Sequence, residues 1–294
     1  MMRRLSLFLL AFAMLFCVGC GETPPPSPNP TPQPNEPTTP PSSESEIPNM
    51  ESTYSILFIG NSATYYNNMP NDIFEKFVVT SGYQVEVDAI TQGGWTLAQF
   101  ANPTDAFGAK VEEALTGEKK YDYVILQGNG SLLATGDPAQ FYRAVRNLSQ
   151  RIRATGARPV LYATWGHKTG SPSFSTNGLT NESMTWKLAA AYQAIGDELD
   201  IPVAYVGLAF YDIYTTRDDI NLYDPDKAHP SYEGSYLAAA TLFAKIFVVD
   251  PVDLSFTGTV PPRIAPVLLE AAGKAVFEPF EIPDQYKTSS EGIE

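Results

Sequence analysis

Ser62, Asp226 and His229 are the side chains of this 294-residue sequence best able to do chemistry together. A serine hydroxyl is a weak nucleophile until a base takes its proton, and imidazole is the base suited to neutral pH. The chain has 2 histidines, His167 and His229. His229 closes the run Asp224-Pro225-Asp226-Lys227-Ala228-His229. A tight turn there brings the Asp226 carboxylate to the imidazole Nδ1–H. Such a bond fixes the tautomer and stabilises the imidazolium that forms when the ring takes a proton. Asp224 competes for this role. His167 has no carboxylate near it in sequence to orient it, so it is expected to line a substrate cleft or face solvent.

Ser62 follows Gly60-Asn61 at a strand-to-turn junction, where the glycine lets the backbone bend sharply and expose the hydroxyl. Attack on an ester carbonyl creates an oxyanion, which needs donors aimed at the developing charge. The donors on offer are the backbone N–H of Ser62, the backbone N–H of Gly94 and the side-chain amide of Asn129. Gly93 and Gln127 are rivals for the last two. No metal or organic cofactor is called for. A phosphate-binding turn at Gly60 is disfavoured, because neither Gly-x-Gly-x-x-Gly nor a Walker lysine follows.

These residues need a frame that gathers them. Short apolar runs recur at Tyr54–Ile59, Tyr83–Ala89, Tyr121–Gln127, Pro159–Thr164 and Pro202–Val206. Ile56-Leu57-Phe58-Ile59 and Val124-Ile125-Leu126 are continuously apolar, as strands buried on both faces are. Between the runs lie helical stripes: Phe141, Val145, Leu148 and Ile152, then Met184, Leu188, Tyr192, Ile195 and Leu199. Pro230-Ser231 opens a long apolar helix from Tyr232 to Phe247, and Ile264 to Phe277 adds another. The tail after Pro279 is expected to be loose. Five strands alternating with helices imply a doubly wound α/β sandwich, in which ligands bind beyond the carboxyl ends of the strands. The chemistry-bearing loops all follow strands. Trp95 and Trp165 flank the same rim and would offer flat apolar faces to a sugar or acyl group if exposed.

Composition limits the alternatives. A hydrophobic content of 44 % is that of a globular chain, and 2 cysteines, Cys17 and Cys20, cannot build a disulfide scaffold or a zinc ribbon. A net charge of −14 argues against a nucleic-acid binder, which needs a basic face. Residues 1–20 read as a signal peptide. Arg3 and Arg4 precede an apolar run from Leu5 to Val18, shorter than the roughly 20 residues of a membrane span. The run ends in Cys17-Val18-Gly19-Cys20, which is similar to a bacterial lipobox, with Cys20 as the lipidated residue. Residues 21–50 hold close to half of the 25 prolines and read as an extended tether. The expected arrangement is a domain over 51–294, lipid-anchored at the bacterial cell envelope outside the cytoplasm.

Four stretches together resemble the SGNH (GDSL-like) hydrolases: "ILFIGNSATYY", "TQGGWTL", "YDYVILQGNGSL" and "DPDKAHPSYEGSYLAA". They stand in the order of that family's blocks I, II, III and V. The resemblance implies a flavodoxin-like three-layer α/β/α sandwich with a parallel five-stranded sheet. It implies a serine mechanism on carboxylic esters, with Ser62 as nucleophile, Asp226 and His229 completing the triad, and Gly94 and Asn129 completing the oxyanion hole. The aspartate of the family's Gly-Asp-Ser is Asn61 here, at a position that supports the turn. With an outward-facing tether, O-acetyl groups on carbohydrate are the narrowest substrate expectation. A glycan-binding lipoprotein without turnover, or an acyltransferase or lysophospholipase, are the alternatives on the same fold.

Overall fold

The computed structural model describes residues 48–292. The signal-peptide reading, the Cys20 lipidation site and nearly all of the expected tether lie outside the described residues. Among those described, no helix is long and apolar enough to cross a membrane.

Five strands form one sheet: β1 (Thr53–Gly60), β2 (Gln84–Thr91), β3 (Tyr123–Leu126), β4 (Arg158–Tyr162) and β5 (Val203–Ala204). All pairs are parallel and the order is β2-β1-β3-β4-β5. The five apolar runs are these strands, trimmed or extended by a residue or two at their ends. The helices are α1 (Ser62–Tyr65), α2 (Glu75–Thr80), α3 (Leu97–Ala101), α4 (Ala106–Thr116), α5 (Gly130–Thr135), α6 (Ala139–Ala154), α7 (Pro172–Asn177), α8 (Asn181–Leu199), α9 (Val206–Thr216), α10 (Tyr232–Phe247) and α11 (Ala265–Phe277).

The period-2 alternation of β1 divides its side chains between two cores. Tyr54, Ile56 and Phe58 pack with α2, α9, α10 and α11 on one side of the sheet. Leu57 and Ile59 pack with α3, α4, α6 and α8 on the other. This explains the continuous apolar run, since neither face of β1 meets water. Each such side chain contributes about 1.5–3 kcal/mol on burial. The stripe of α6 is read correctly: Val145, Leu148 and Ile152 are fully buried against the sheet. Helix α10 starts where Ser231 accepts a hydrogen bond from the Gly234 N–H at 3.2 Å.

One expectation is corrected. The tail after Pro279 is not loose. Phe280 packs edge-on against Tyr205, with ring centroids 4.6 Å apart. Ser290, 1 % exposed, donates from Oγ to the Ala194 carbonyl at 3.0 Å, and its own carbonyl accepts from Arg146 Nη2 at 2.8 Å. Isolated anchors of this kind leave no periodic signal in a sequence.

The strand order reverses at β1, so the crevice between the carboxyl ends of β1 and β3 is the topological switch point. The residues that follow β1, β2 and β3 meet there.

Candidate active site

Gly60 is the last residue of β1. A Cβ there would stand 2.4 Å from Thr64 Oγ1 and 2.6 Å from Gln127 Oε1, so only glycine lets the chain turn against β3. Asn61 caps α1, its Oδ1 accepting from the Ala63 N–H at 3.1 Å. Its Nδ2 donates to the Trp95 carbonyl at 3.0 Å and ties this turn to the loop after β2. Gln127 is buried beneath. Its Oε1 accepts from the Asn61 N–H at 2.7 Å and from Thr64 Oγ1 at 2.9 Å, while its Nε2 donates to the Gly128 carbonyl. Ser62 is thereby held as the first residue of α1, with its side chain in a cleft.

The second half of the site is the turn before α10. A bridge between Tyr223 and Pro230 closes its base, and the Asp224 N–H donates to the His229 carbonyl at 2.9 Å. Lys227 turns the corner with φ +65°. Asp226, and not Asp224, reaches the ring. Its Oδ2 accepts from His229 Nδ1, and its Oδ1 accepts from the Ala228 and His229 N–H groups at 3.0 and 2.9 Å. Burial alone would raise the Asp226 pKa. The hydrogen bonds from the His229 ring and the two backbone N–H groups outweigh it and bring the pKa down to about 2. The carboxylate is therefore ionised at any pH near neutral. On the far side of the ring, His229 Nε2 lies 2.9 Å from Ser62 Oγ. Asn67 clasps the two halves, its Nδ2 donating to the carbonyls of Pro230 and Ser231 at 3.2 and 3.1 Å and to Ser235 Oγ at 2.8 Å.

Gly94 takes φ +73° and lines the cleft, whereas Gly93 does not. Asn129 follows β3 and caps α5, its Oδ1 accepting from the Leu132 N–H at 3.2 Å. Its Nδ2 donates to the Gly94 carbonyl at 2.8 Å. An amide carries two N–H donors, so one anchors the side chain and the other is left for a ligand. The cleft, about 460 Å³, contains Ser62, Gly94, Asn129 and His229 on its walls. Among the described residues no group of three or more His, Cys, Asp or Glu side chains converges to hold a metal ion.

No protein-family model matches the chain, and no curated protein matches it in sequence. Solved structures do. A candidate SGNH hydrolase from Slackia heliotrinireducens is 31 % identical, with a TM-score of 0.59, over 66 % of this chain and 100 % of that one. This chain belongs to the SGNH hydrolases. A DUF4886 family protein from Bacteroides uniformis ATCC 8492 shares the fold at 18 % identity and a TM-score of 0.65, over 79 % of this chain and 98 % of that one.

Of the two aromatic residues expected to flank the rim of this SGNH hydrolase, Trp165 lines the cleft and Trp95 does not. Trp95 turns away into the second core, where its ring meets Phe100 and Phe107 at 5.3 and 5.2 Å. Trp165 borders the cleft but offers it no flat face. It is 3 % exposed and stacked on Phe210 at 4.3 Å. Its Nε1 donates to the Ala228 carbonyl at 3.0 Å, so it steadies the turn that carries His229. His167 does line the cleft. Its Nδ1 lies 3.3 Å from Ser171 Oγ. Burial, followed by the nearby His229, lowers its pKa to about 4, so it is neutral near pH 7.

The structure also brings to this site two residues that the sequence does not single out. Tyr66 lies flat on His229, with centroids 4.2 Å apart and planes 5° from parallel. Asn67 closes the clasp described above. Both sit within two helical turns of Ser62, which is the only hint the sequence offers. Their partners are more than 160 positions away.

Proposed function

We propose that this SGNH hydrolase is a serine esterase acting on carboxylic esters. The observation that carries the reading is the continuous contact from Ser62 Oγ through both nitrogens of His229 to the ionised Asp226. Ser62 Oγ attacks the ester carbonyl carbon while His229 Nε2 takes the hydroxyl proton. The oxyanion is held by the Ser62 and Gly94 N–H groups and the second amide hydrogen of Asn129. The C–O bond to the alcohol breaks as His229 returns its proton to the departing oxygen. Water then adds to the acyl-serine, giving a proton to His229. The carboxylic acid leaves as that proton returns to Ser62 Oγ.

The cleft supports an uncharged substrate. Among the described residues that line it are amides, hydroxyls, glycines and two imidazoles, together with the apolar Ala63, Leu132, Trp165, Met184 and Ala228, but no lysine, arginine, aspartate or glutamate. An anionic head group would find no cation there, and the net charge of −14 would repel it on approach. O-acetylated carbohydrate fits this chemistry and is the substrate class we favour. A lipid anchor at Cys20 would place the enzyme at the cell envelope, which suits such a polymer.

Labelling with a fluorophosphonate tests the reaction class. The wild-type protein should be labelled on Ser62, and Ser62→Ala should neither be labelled nor turn over ester. An unlabelled wild type beside a labelled control hydrolase supports a binding protein instead. Acetylated sugars, short-chain nitrophenyl esters and lysolipids, compared by kcat/KM, then rank the substrates.

A further inference from the structure

We propose that Tyr66 is a positioning residue whose ring holds and stabilises the His229 imidazole during proton transfer. This rests on the serine-esterase reading. Two contacts, to Ser62 Oγ and to Asp226, fix a line through the two nitrogens of the His229 ring. Neither prevents the ring from rocking about the line that joins them. Tyr66 does, because it covers one face at 4.2 Å and 5°. An aromatic face also carries negative electrostatic potential, so it favours the imidazolium over the neutral ring. The contact is therefore stronger in the transition state, where the ring is gaining a proton, than in the resting enzyme. That difference is what accelerates a step.

The backbone is built to keep Tyr66 in place. Its carbonyl accepts from Ser235 Oγ at 3.4 Å, and the Asn67 clasp follows directly. Tyr65 lies beside it, with centroids 6.0 Å apart and planes 27° from parallel. Burial first, then the nearby Asp226 and Asp224, raises the Tyr66 pKa, so the phenol stays uncharged.

The test compares Tyr66→Phe with Tyr66→Leu and with Ser62→Ala. Phenylalanine keeps the flat face and should keep kcat within about twofold, whereas leucine should lower kcat about 3- to 30-fold with KM within twofold. Thermal unfolding checks that the leucine variant is folded. Fluorophosphonate labelling should slow in the same proportion, because it uses the same proton transfer. Three outcomes overturn the inference: leucine turning over like wild type, phenylalanine as slow as leucine, or a rise in KM at constant kcat. Each assumes an inactive Ser62→Ala. If Ser62→Ala is fully active, the esterase reading falls first and this inference with it.

Discussion

His229 Nε2 and Ser62 Oγ lie 2.9 Å apart although 167 positions separate them in the chain. The contact depends on Asn67, which hydrogen-bonds across to the start of α10 and joins the segment after the nucleophile to the turn carrying the base. It depends as well on Trp165, which holds the Ala228 carbonyl from below. The pair is therefore positioned by the sheet and by residues that do no chemistry themselves.

Asp226→Asn should leave this contact in place and still remove most activity. An asparagine can present its N–H to His229 Nδ1 and so select the wrong tautomer, with Nε2 already protonated and unable to accept from Ser62. Loss of kcat on the order of 10⁴-fold is the expected result. Asp224→Asn, measured beside it, should stay within a few-fold of wild type, because the Asp224 carboxylate does not reach the ring. Equal losses in the two variants would reverse the assignment.

Asn129 has two duties that a single substitution confuses. It caps α5 through Oδ1 and offers N–H groups through Nδ2. Asn129→Ala should lower kcat about 100- to 1,000-fold and also cost about 1 kcal/mol of stability from the lost cap. Asn129→Asp keeps an oxygen for the Leu132 N–H but has no amide to donate. Its kcat should fall at least as far, while in urea unfolding the regained cap is offset in part by the lost bond to the Gly94 carbonyl. Stable Asn129→Asp with wild-type turnover would remove Asn129 from the oxyanion hole.

Local chemistry explains what could be read before the fold was known. Gly60-Asn61-Ser62 and Asp226 to His229 are short turns whose geometry is set by the residues within them, so both are legible as sequence. The buried strands are legible because Ile56 to Ile59 and Val124 to Leu126 alternate between two cores. The orientation of the Trp95 and Trp165 rings is not legible in the sequence, because an aromatic beyond a strand can turn to the cleft or to the core. That choice belongs to Phe100, Phe107 and Phe210, which are contributed by other elements. Tyr66 is invisible for the same reason, since its partner arrives from the far end of the chain.

Restoring the family's aspartate at position 61 should harm this protein. Asn61 is 5 % exposed, and its Nδ2 donates to the Trp95 carbonyl. Asn61→Asp keeps the acceptor for the Ala63 N–H but turns a carboxylate oxygen toward that carbonyl. The lost bond and the unpaired buried group should cost about 1–3 kcal/mol. Urea denaturation at pH 7 measures this directly. The loop after β2 carries Gly94, so kcat should fall together with stability. A variant as stable and as active as wild type would mean that the tie to Trp95 does not matter.

His167 should make the protein lose stability on mild acidification. Its pKa in the folded state is about 4, against 6.5 for the ordinary imidazole, with burial as the main cause. Between these values the unfolded chain binds a proton that the folded chain refuses. Stability therefore rises with pH across this window, and it is lost progressively as pH falls from about 6.5 towards 4. Full expression of the shift corresponds to a loss on the order of 3 kcal/mol. Asp226, lowered to about 2 from the ordinary 3.8, contributes stability that is lost mainly as pH falls below about 4, so most of the loss between pH 6.5 and 4 belongs to His167. His167→Gln removes the titrating ring and keeps an amide that can hydrogen-bond Ser171. Urea unfolding at pH 7 and pH 4.5 should show a smaller drop in this variant than in wild type. Identical drops would mean that His167 is protonated in the folded enzyme as readily as in the unfolded chain.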